Sequence, residues 1–321
     1  MQRLTLELNM RIGARGSPLS LAQTGQLRAL LAASLGIDDD QIEARLPIIA
    51  ITTTGDRIQD RPLSEAGGKG LFTKELDDAL LDGRIDCAIH SLKDVPTQLP
   101  EGIVLLPGPK REDRRDALVT LTGARLEDLK DGAVIGSASL RRAAQLLHAR
   151  PDLSIVSLRG NVGTRLEKLQ AGHCDATLLA AAGLRRLGYH ETPHVLLDPH
   201  MMPPAIGQGA LAITARAGDE KTAAAFAKIS DHSTALEVAA ERAFLTALDG
   251  SCRTAIGALA NLDQSGRLSF VGEALSEDGK TRWRSDGMVE HATLEQAENL
   301  GRELGLKVKA MAGVAFAGAI S

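Results

Sequence analysis

The sequence predicts an α/β protein: two similar α/β domains facing one another, with a hinge and a cleft, plus a smaller C-terminal α+β domain with a three-stranded antiparallel sheet. Three observations lead there. Strand-like and helix-like segments alternate through the first two thirds, which argues for helices layered on sheets. One helix-to-strand unit occurs twice with the same spacing, Gly83 to Asp86 and Gly172 to Asp175. Late in the chain the pattern changes to helix, three short strands, helix.

The elements follow in order. "MRIGA" reads as a strand. Ser17-Pro18 is an N-cap followed by proline at the first helical position, where its missing N–H has no partner to lose. "LSLAQTGQLRALLAASLG" continues as an amphipathic helix stopping near Gly36. "ARLPIIAITT" is a second strand, "LFTKELDDALLDG" a helix with a Gly stop, and "IDCAIHSL" a buried strand. "GAVIGSASLRRAAQLLHAR" repeats strand, Gly-Ser turn, helix. "GTRLEKLQAGHCDATLLAAAG" repeats helix, Gly, Asp, strand, and its Thr164-x-x-Glu167 predicts a capping box. The strand-turn-helix units superpose more loosely, Gly13 onto Gly136. This is one duplication, not a solenoid array.

Two Pro-rich segments, "LPGPKRED" near 105–113 and "DPHMMPPAIGQGALAI" at 198–213, predict crossings between the two domains. Paired crossings make a hinge, and a cleft between domains is a natural ligand site. Beyond them, "STALEVAAERAFLTALDG" is a helix, and "AIGALANLD", "RLSFVGEALSED" and "KTRWRSDGMVE" are strands. "TLEQAENLGRELGLKVKAMAG" closes as a helix.

Composition narrows the function. A 44% hydrophobic, 24% charged chain of 321 residues is a folded protein of two or three domains. Aromatics at 2% argue against a base-stacking platform for single strands, and a net charge of -4 argues against general nucleic-acid binding. "MQRLTLELNM" lacks a signal-peptide core, and no apolar run is long enough to span a membrane. Cys87, Cys174 and Cys252 are odd in number and widely spaced, so neither a disulfide framework nor a metal site is expected. These features predict a cytoplasmic protein.

Arg outnumbers Lys 26 to 11. Cations recur where helices start: Arg15 with Ser17; Lys69; Ser139 with Arg141 and Arg142; Arg159 and Arg165 with Asn161 and Thr164. A helix N-terminus already favours anions, so added cations there are unfavourable unless an anion sits nearby. Taken singly, each is accounted for by a nearby acid such as Asp56 or Glu75. Taken as a set, they point to an anion-binding cleft. "GGKG" and "GARGS" fit neither the P-loop nor the dinucleotide spacing, which excludes nucleotide binding on those grounds.

"HSLKDVP" (90–96) ends a buried strand, so Lys93 and Asp94 emerge at its carboxyl end, where ligands bind in open α/β sheets. A carboxylate there stabilises a developing cation or accepts from an N–H donor. Taken alone, the pair reads as a structural Lys-Asp contact or a turn before Pro96. Cys87 and Cys174 read as small core residues. Cys252, in the polar turn "DGSCRTAIG", is accessible and lies beside Arg253, with no His near in sequence.

From "RIGARGSPLSLAQ" through "TTTGD", "GGKGLFTKEL", "AIHSLKDVPT", "REDRRDA", "IGSASLRRAAQL", "LRGNVGTRL", "LAAAGLRRLG" and "IGQGAL", the chain resembles the porphobilinogen deaminase (hydroxymethylbilane synthase) family nearly end to end. The resemblance implies three domains: 1–109 with 209–229, 110–208, and 230–321. The first two are similar to type II periplasmic binding proteins. It implies a transferase that joins four porphobilinogen molecules head to tail, releasing ammonia, to give hydroxymethylbilane. It assigns Cys252 the thioether bond to a dipyrromethane cofactor and Asp94 the catalytic role, stabilising cationic intermediates. It makes Arg15, Ser17, Lys69, Lys93, Ser139, Arg141, Arg142, Arg159, Arg165, Arg186 and Gln208 contacts for substrate and cofactor. It implies no metal, a monomer, and a product passed to uroporphyrinogen-III synthase. Ser251, Ala255 and Glu65 depart from common family residues, which bears on the cysteine turn and one cleft charge. Two other classes compete: a non-catalytic two-domain anion-binding module, and a thiol hydrolase with a His brought to Cys252 through space.

Overall fold

The computed structural model describes residues 9–57, 70–249 and 255–313. Its contacts divide the chain into two compact units, Met1–Lys110 with Leu211–Asp231, and Arg111–Ala210 with His232–Ser321.

The strands of the first unit are β1 (Ile12–Arg15), β2 (Ile48–Ile51), β3 (Cys87–Ser91), β4 (Ile103–Leu106) and β10 (Leu211–Arg216). They form one sheet in the order β2-β1-β3-β10-β4. β1 runs parallel to β2 and β3, whereas β10 is antiparallel to both β3 and β4. The helices are α1 (Pro18–Leu35), α2 (Ile42–Arg45), α3 (Thr54–Arg57), α4 (Lys74–Leu81) and α8 (Glu220–Ala227). As predicted, Ser17 caps α1 by accepting from Ser20 N, and Gly36 ends it in the left-handed region at φ 65°. Leu27 and Leu31 of α1 pack with Ile12, Ile89, Ile213 and Phe226 in the core of this unit. That burial, rather than helix propensity, fixes α1 on the sheet.

The second unit holds β5 (Asp116–Thr120), β6 (Val134–Gly136), β7 (Ser154–Val156), β8 (Ala176–Ala180) and β9 (His194–Leu196), with α5 (Leu140–Ala149), α6 (Val162–Gln170) and α7 (Ala181–Arg186). Its sheet order is β7-β6-β8-β5-β9. β6 is parallel to β7 and β8, and β5 is antiparallel to β8 and β9. Strand for strand, this repeats the first sheet, with the antiparallel strand again in fourth place. The arrangement is that of a type II periplasmic-binding-protein-like domain, present twice.

The repeated Gly-to-Asp spacing has a physical basis. Gly83 and Gly172 both sit at positive φ, 68° and 76°, just past a helix. The following Asp then accepts from the backbone of the strand beside it: Asp86 from Arg11 N and Asp175 from Val134 N, both at 2.8 Å. Each Asp locks a helix-to-strand connection to the neighbouring parallel strand.

The C-terminal module comprises α9 (His232–Ala247), the antiparallel β11 (Ile256–Leu262), β12 (Leu268–Leu275) and β13 (Arg282–Val289), and α10 (Leu294–Ala312). α10 packs backbone-close on α9, because a Cβ at Gly301 would lie 2.0 Å from Ala240 O. Buried ion pairs tie the module to the second sheet. Arg111 forks onto Glu241 at 2.7 and 3.0 Å, and Arg114 reaches Glu237 at 2.9 Å. Removing one partner from such a pair strands a buried charge.

Three local expectations are corrected. The Thr164 capping box is absent: α6 starts at Val162, and Asn161 caps it by accepting from Thr164 N at 2.9 Å. An Asn at the N-cap already satisfies the N–H that the box would have served. The second strand covers only Ile48–Ile51, because Ile42–Arg45 makes a helical turn before Pro47. The helix expected from Leu71 begins at Lys74, after a turn.

Candidate active site

In the first unit, β1 and β3 are parallel neighbours, so their carboxyl ends meet at one edge of the sheet. β1 ends on Arg15, and a 3-10 turn, Leu92–Asp94, follows β3. Arg15 Nη1 thereby stands 3.9 Å from Asp94 Oδ2, an electrostatic contact longer than a hydrogen bond. The Arg15 guanidinium lies over the Phe72 ring, 4.0 Å from its centre. Arg15, Ser17, Gln23, Phe72, His90 and Asp94 are among the residues lining a small pocket of about 40 Å³. Gln23 joins α1 to the end of β3 by donating to Ser91 Oγ at 2.9 Å. Burial, and then the Arg15 charge, push His90 down to about 4, so the pocket has a neutral imidazole in its wall. Lys93 is exposed beside Asp94. Lys69 and Glu65 lie outside the described residues. Glu75, one acid considered as a partner for these cations, accepts from Thr54 N and Oγ1.

In the second unit the chemistry gathers around Asp116, where β5 begins. Ser139 caps α5, accepting from Arg142 N at 3.4 Å, and α5 sends two successive guanidiniums to one carboxylate. Arg141 Nη1 reaches Asp116 Oδ2 at 2.7 Å, and Arg142 Nη2 reaches Oδ1 at 2.7 Å. Gln208 adds a donor to Oδ1 at 2.9 Å. All four residues are buried. Burial raises the Asp116 carboxyl, but the two guanidiniums outweigh it and hold it well below the usual carboxylate range. Arg141 Nε is buried without a hydrogen-bond partner.

More positive charge surrounds this pair. Burial, followed by Arg142 and Arg159, pushes Arg165 down to about 10. Arg165 Nε donates to Gly160 O at 2.9 Å, ahead of the α6 N-terminus. Arg186 donates to Gly209 O at 2.8 Å, and its proton affinity is lowered first by burial. The second unit thus brings together Ser139, Arg141, Arg142, Arg159, Arg165, Arg186 and Gln208. The first brings together Arg15, Ser17 and Asp94, with Lys93 at the rim.

Cys252 and Ser251 lie outside the described residues, but the chain on either side is fixed. Asp249, at φ 51°, pairs with Lys309 of α10. Ala255 is buried against Ala144 and Leu275. Cys87 and Cys174 are buried, as expected, and desolvation raises both thiols. Two residues escaped the sequence reading. Phe72 was placed only in a predicted helix; it lies in the turn before α4. Asp116 sits 25 residues before Arg141, where no local pattern links them. Its only signal was an acid opening a wholly apolar strand.

The duplicated sheets define the class: an α/β protein built on two periplasmic-binding-protein-like sheets. Residues 10–224 match the family described as "Porphobilinogen deaminase, dipyromethane cofactor binding domain", and residues 235–310 its "C-terminal domain". Relatives named "Porphobilinogen deaminase" from Phenylobacterium zucineum and Caulobacter vibrioides are each 55% identical over 314 residues. They cover 96% of this chain and 98% and 97% of their own lengths. A solved structure, the periplasmic VFT2 domain of Bordetella pertussis BvgS, is 17% identical, with a TM-score of 0.39, covering 68% of this chain and 86% of that one. The chain belongs to the porphobilinogen deaminase family. It is a transferase of tetrapyrrole synthesis that uses a dipyrromethane cofactor. That membership sets aside the non-catalytic anion-binding module and the thiol hydrolase. Among the described residues no helix is long and apolar enough to cross a membrane, and no cluster of acids, His and Cys could hold a metal ion.

The residues suit the cofactor on one structural ground. A dipyrromethane built from porphobilinogen carries acetate and propionate groups. The guanidiniums of the second unit outnumber the acid that neutralises them, and Arg141 retains a buried donor with no acceptor. A carboxylate is the group that such a donor set accommodates.

Proposed function

We propose that this chain joins four porphobilinogen molecules head to tail on the cofactor, releasing one ammonia at each addition, and that water then cleaves the tetrapyrrole from the cofactor as hydroxymethylbilane, with Asp94 as the catalytic group and Cys252 as the thioether anchor of the cofactor. The observation that carries the division of labour is the charge surplus around Asp116: two guanidiniums share one carboxylate, with Arg165 close enough to be depressed by its cationic neighbours.

When bound, the dipyrromethane supplies the free pyrrole α-carbon that receives the first substrate unit. Ser139, Arg141, Arg142, Arg159, Arg165, Arg186 and Gln208 hold its acid groups and those of the units added. Asp116 fixes Arg141 and Arg142 in place, so little reorganisation is needed when acids arrive. In the first unit, Arg15, Ser17, Lys69 and Lys93 bind the substrate's acids. Asp94, at the end of β3, faces the charge that develops as ammonia leaves. Its carboxylate stabilises the resulting cation and accepts from pyrrole N–H groups; the new carbon–carbon bond forms as the attacking α-carbon gives up its proton. The neutral His90 adds no competing positive charge to the pocket wall.

This reading divides the chain into domains at 1–109 with 209–229, 110–208, and 230–321, the last carrying the anchor. The enzyme works as a cytoplasmic monomer, and its linear product passes to uroporphyrinogen-III synthase.

Intact-protein mass spectrometry with a turnover assay tests the proposal. The purified protein should carry an adduct of two linked pyrroles that Cys252→Ser abolishes. Asp94→Ala should stop porphobilinogen consumption in a folded protein. An unmodified wild type with full activity, or an active Asp94→Ala variant, overturns it.

A further inference from the structure

Gln145, on α5, is 3% exposed and hydrogen-bonds three ways. Its Oε1 accepts from Arg141 Nη1 at 3.0 Å. Its Nε2 donates to Pro203 O at 2.9 Å and to Glu273 Oε1 at 2.8 Å. Glu273, on β12, is itself buried, and its other oxygen accepts from Arg284 of β13 at 3.2 Å. The approach is close enough to dictate a neighbour. A Cβ at Gly257 of β11 would meet Pro203 O at 2.4 Å and Gln145 Nε2 at 3.0 Å. One side chain therefore meets α5, the Pro203 segment and the C-terminal sheet.

We infer that Gln145 is a positioning residue: it holds the Arg141 guanidinium in its acid-binding orientation by anchoring it to the C-terminal module. The inference rests on the reading of Arg141 as an acid-binding group. Arg141 Nη1 donates to Asp116, Gln145 and Pro203 O, so that end of the guanidinium is fully committed to the fold. The Nε is buried without a partner. Asp116 supplies the countercharge and Pro203 O a second acceptor, and the Gln145 oxygen, on the same helix one turn on, adds a third that limits how the guanidinium turns about them. An amide accepts from Arg141 without cancelling its charge, which a carboxylate at this position would do. Because Gln145 turns its other end to Glu273, the orientation of Arg141 is referred to the sheet that follows the anchoring segment.

The test compares steady-state porphobilinogen consumption by the holoenzyme and three variants. Gln145→Met keeps the length and loses both polar ends. KM should rise about tenfold with kcat within about twofold, the signature of lost binding common to ground and transition states. Gln145→Glu keeps the acceptor for Arg141 and loses the donors. Its carboxylate also cancels the Arg141 charge, so KM should rise at least as far as in Gln145→Met. Gln145→Asn, one methylene short, should behave as Gln145→Met, and it decides the matter if the Met variant does not accumulate. An unchanged KM in Gln145→Met or Gln145→Asn overturns the inference, as does a wild-type KM for Gln145→Glu. In those cases wild-type turnover still stands, whereas a wild type that consumes no porphobilinogen defeats the function itself.

Discussion

Arg15 lies flat over Phe72, its guanidinium carbon 4.0 Å from the ring centre. The same guanidinium stands 3.9 Å from Asp94, so the ring bears on where this cation meets that carboxylate. A cation over an aromatic face gains on the order of 1 kcal/mol. Phe72→Leu should therefore lower kcat/KM for porphobilinogen about fivefold, and Phe72→Tyr should restore it. Equal rates for Phe72→Leu and wild type would show that the ring does not hold Arg15.

Asp116 is the single acid between Arg141 and Arg142. Asp116→Asn leaves two buried guanidiniums without the carboxylate that pairs with both. The expected loss is about 3–5 kcal/mol of stability, read from urea unfolding. A loss below about 1 kcal/mol would mean that the pair is neutralised elsewhere.

His90 gives a pH signature. Its folded-state value is about 4, against 6.5 for a free imidazole. Between those values the unfolded chain takes up a proton that the folded chain refuses. The contribution is complete above pH 6.5 and is lost as pH falls towards 4, by about 3 kcal/mol in all. Urea unfolding at pH 7 and pH 5 should show this slope, and His90→Gln, able to keep a bond to Thr214, should flatten it. An unaltered slope in the variant would exclude His90 as its source.

Asp77 has the opposite sign. Burial, reinforced by Asp78, raises its carboxyl to about 6 despite a hydrogen bond from Thr73. The folded protein then binds this proton more tightly than the unfolded chain, so ionisation above pH 6 costs stability. Asp77→Asn should stabilise the protein by about 1–3 kcal/mol at pH 7, with the gain disappearing below pH 4. Melting temperatures at both pH values decide it; no gain at pH 7 contradicts the burial argument.

Features set by local chemistry were legible in the sequence. Ser17-Pro18 and Gly36 bound α1 because capping involves only neighbouring residues. The two Gly-to-Asp spacings revealed the duplication because each connection closes over four residues in the same way. Thr164 misled because Asn161, three residues earlier, is an equally local cap and serves the same N–H. The site was legible as a list of cations but not as a network. Arg141 and Arg142 were visible at a helix start, yet their partner Asp116 opens a distant strand, and nothing in the sequence around Gln145 marks its contacts with Pro203 and Glu273. Phe72 was hidden because nothing in its neighbourhood shows that Arg15 will lie across it.

The placement of β10 bears on how the chain is made. In the first sheet β4 pairs only with β10, and β10 is also the partner on one side of β3. A ribosome must therefore synthesise a further hundred or so residues after β4 before that sheet can close. The second sheet draws all its strands from Asp116–Leu196 and can close while the first still shows an open edge. Synthesis order and completion order are thus reversed. In the interval the nascent chain exposes β3 to unintended pairing, and this is where a chaperone or a slow-codon pause would matter most.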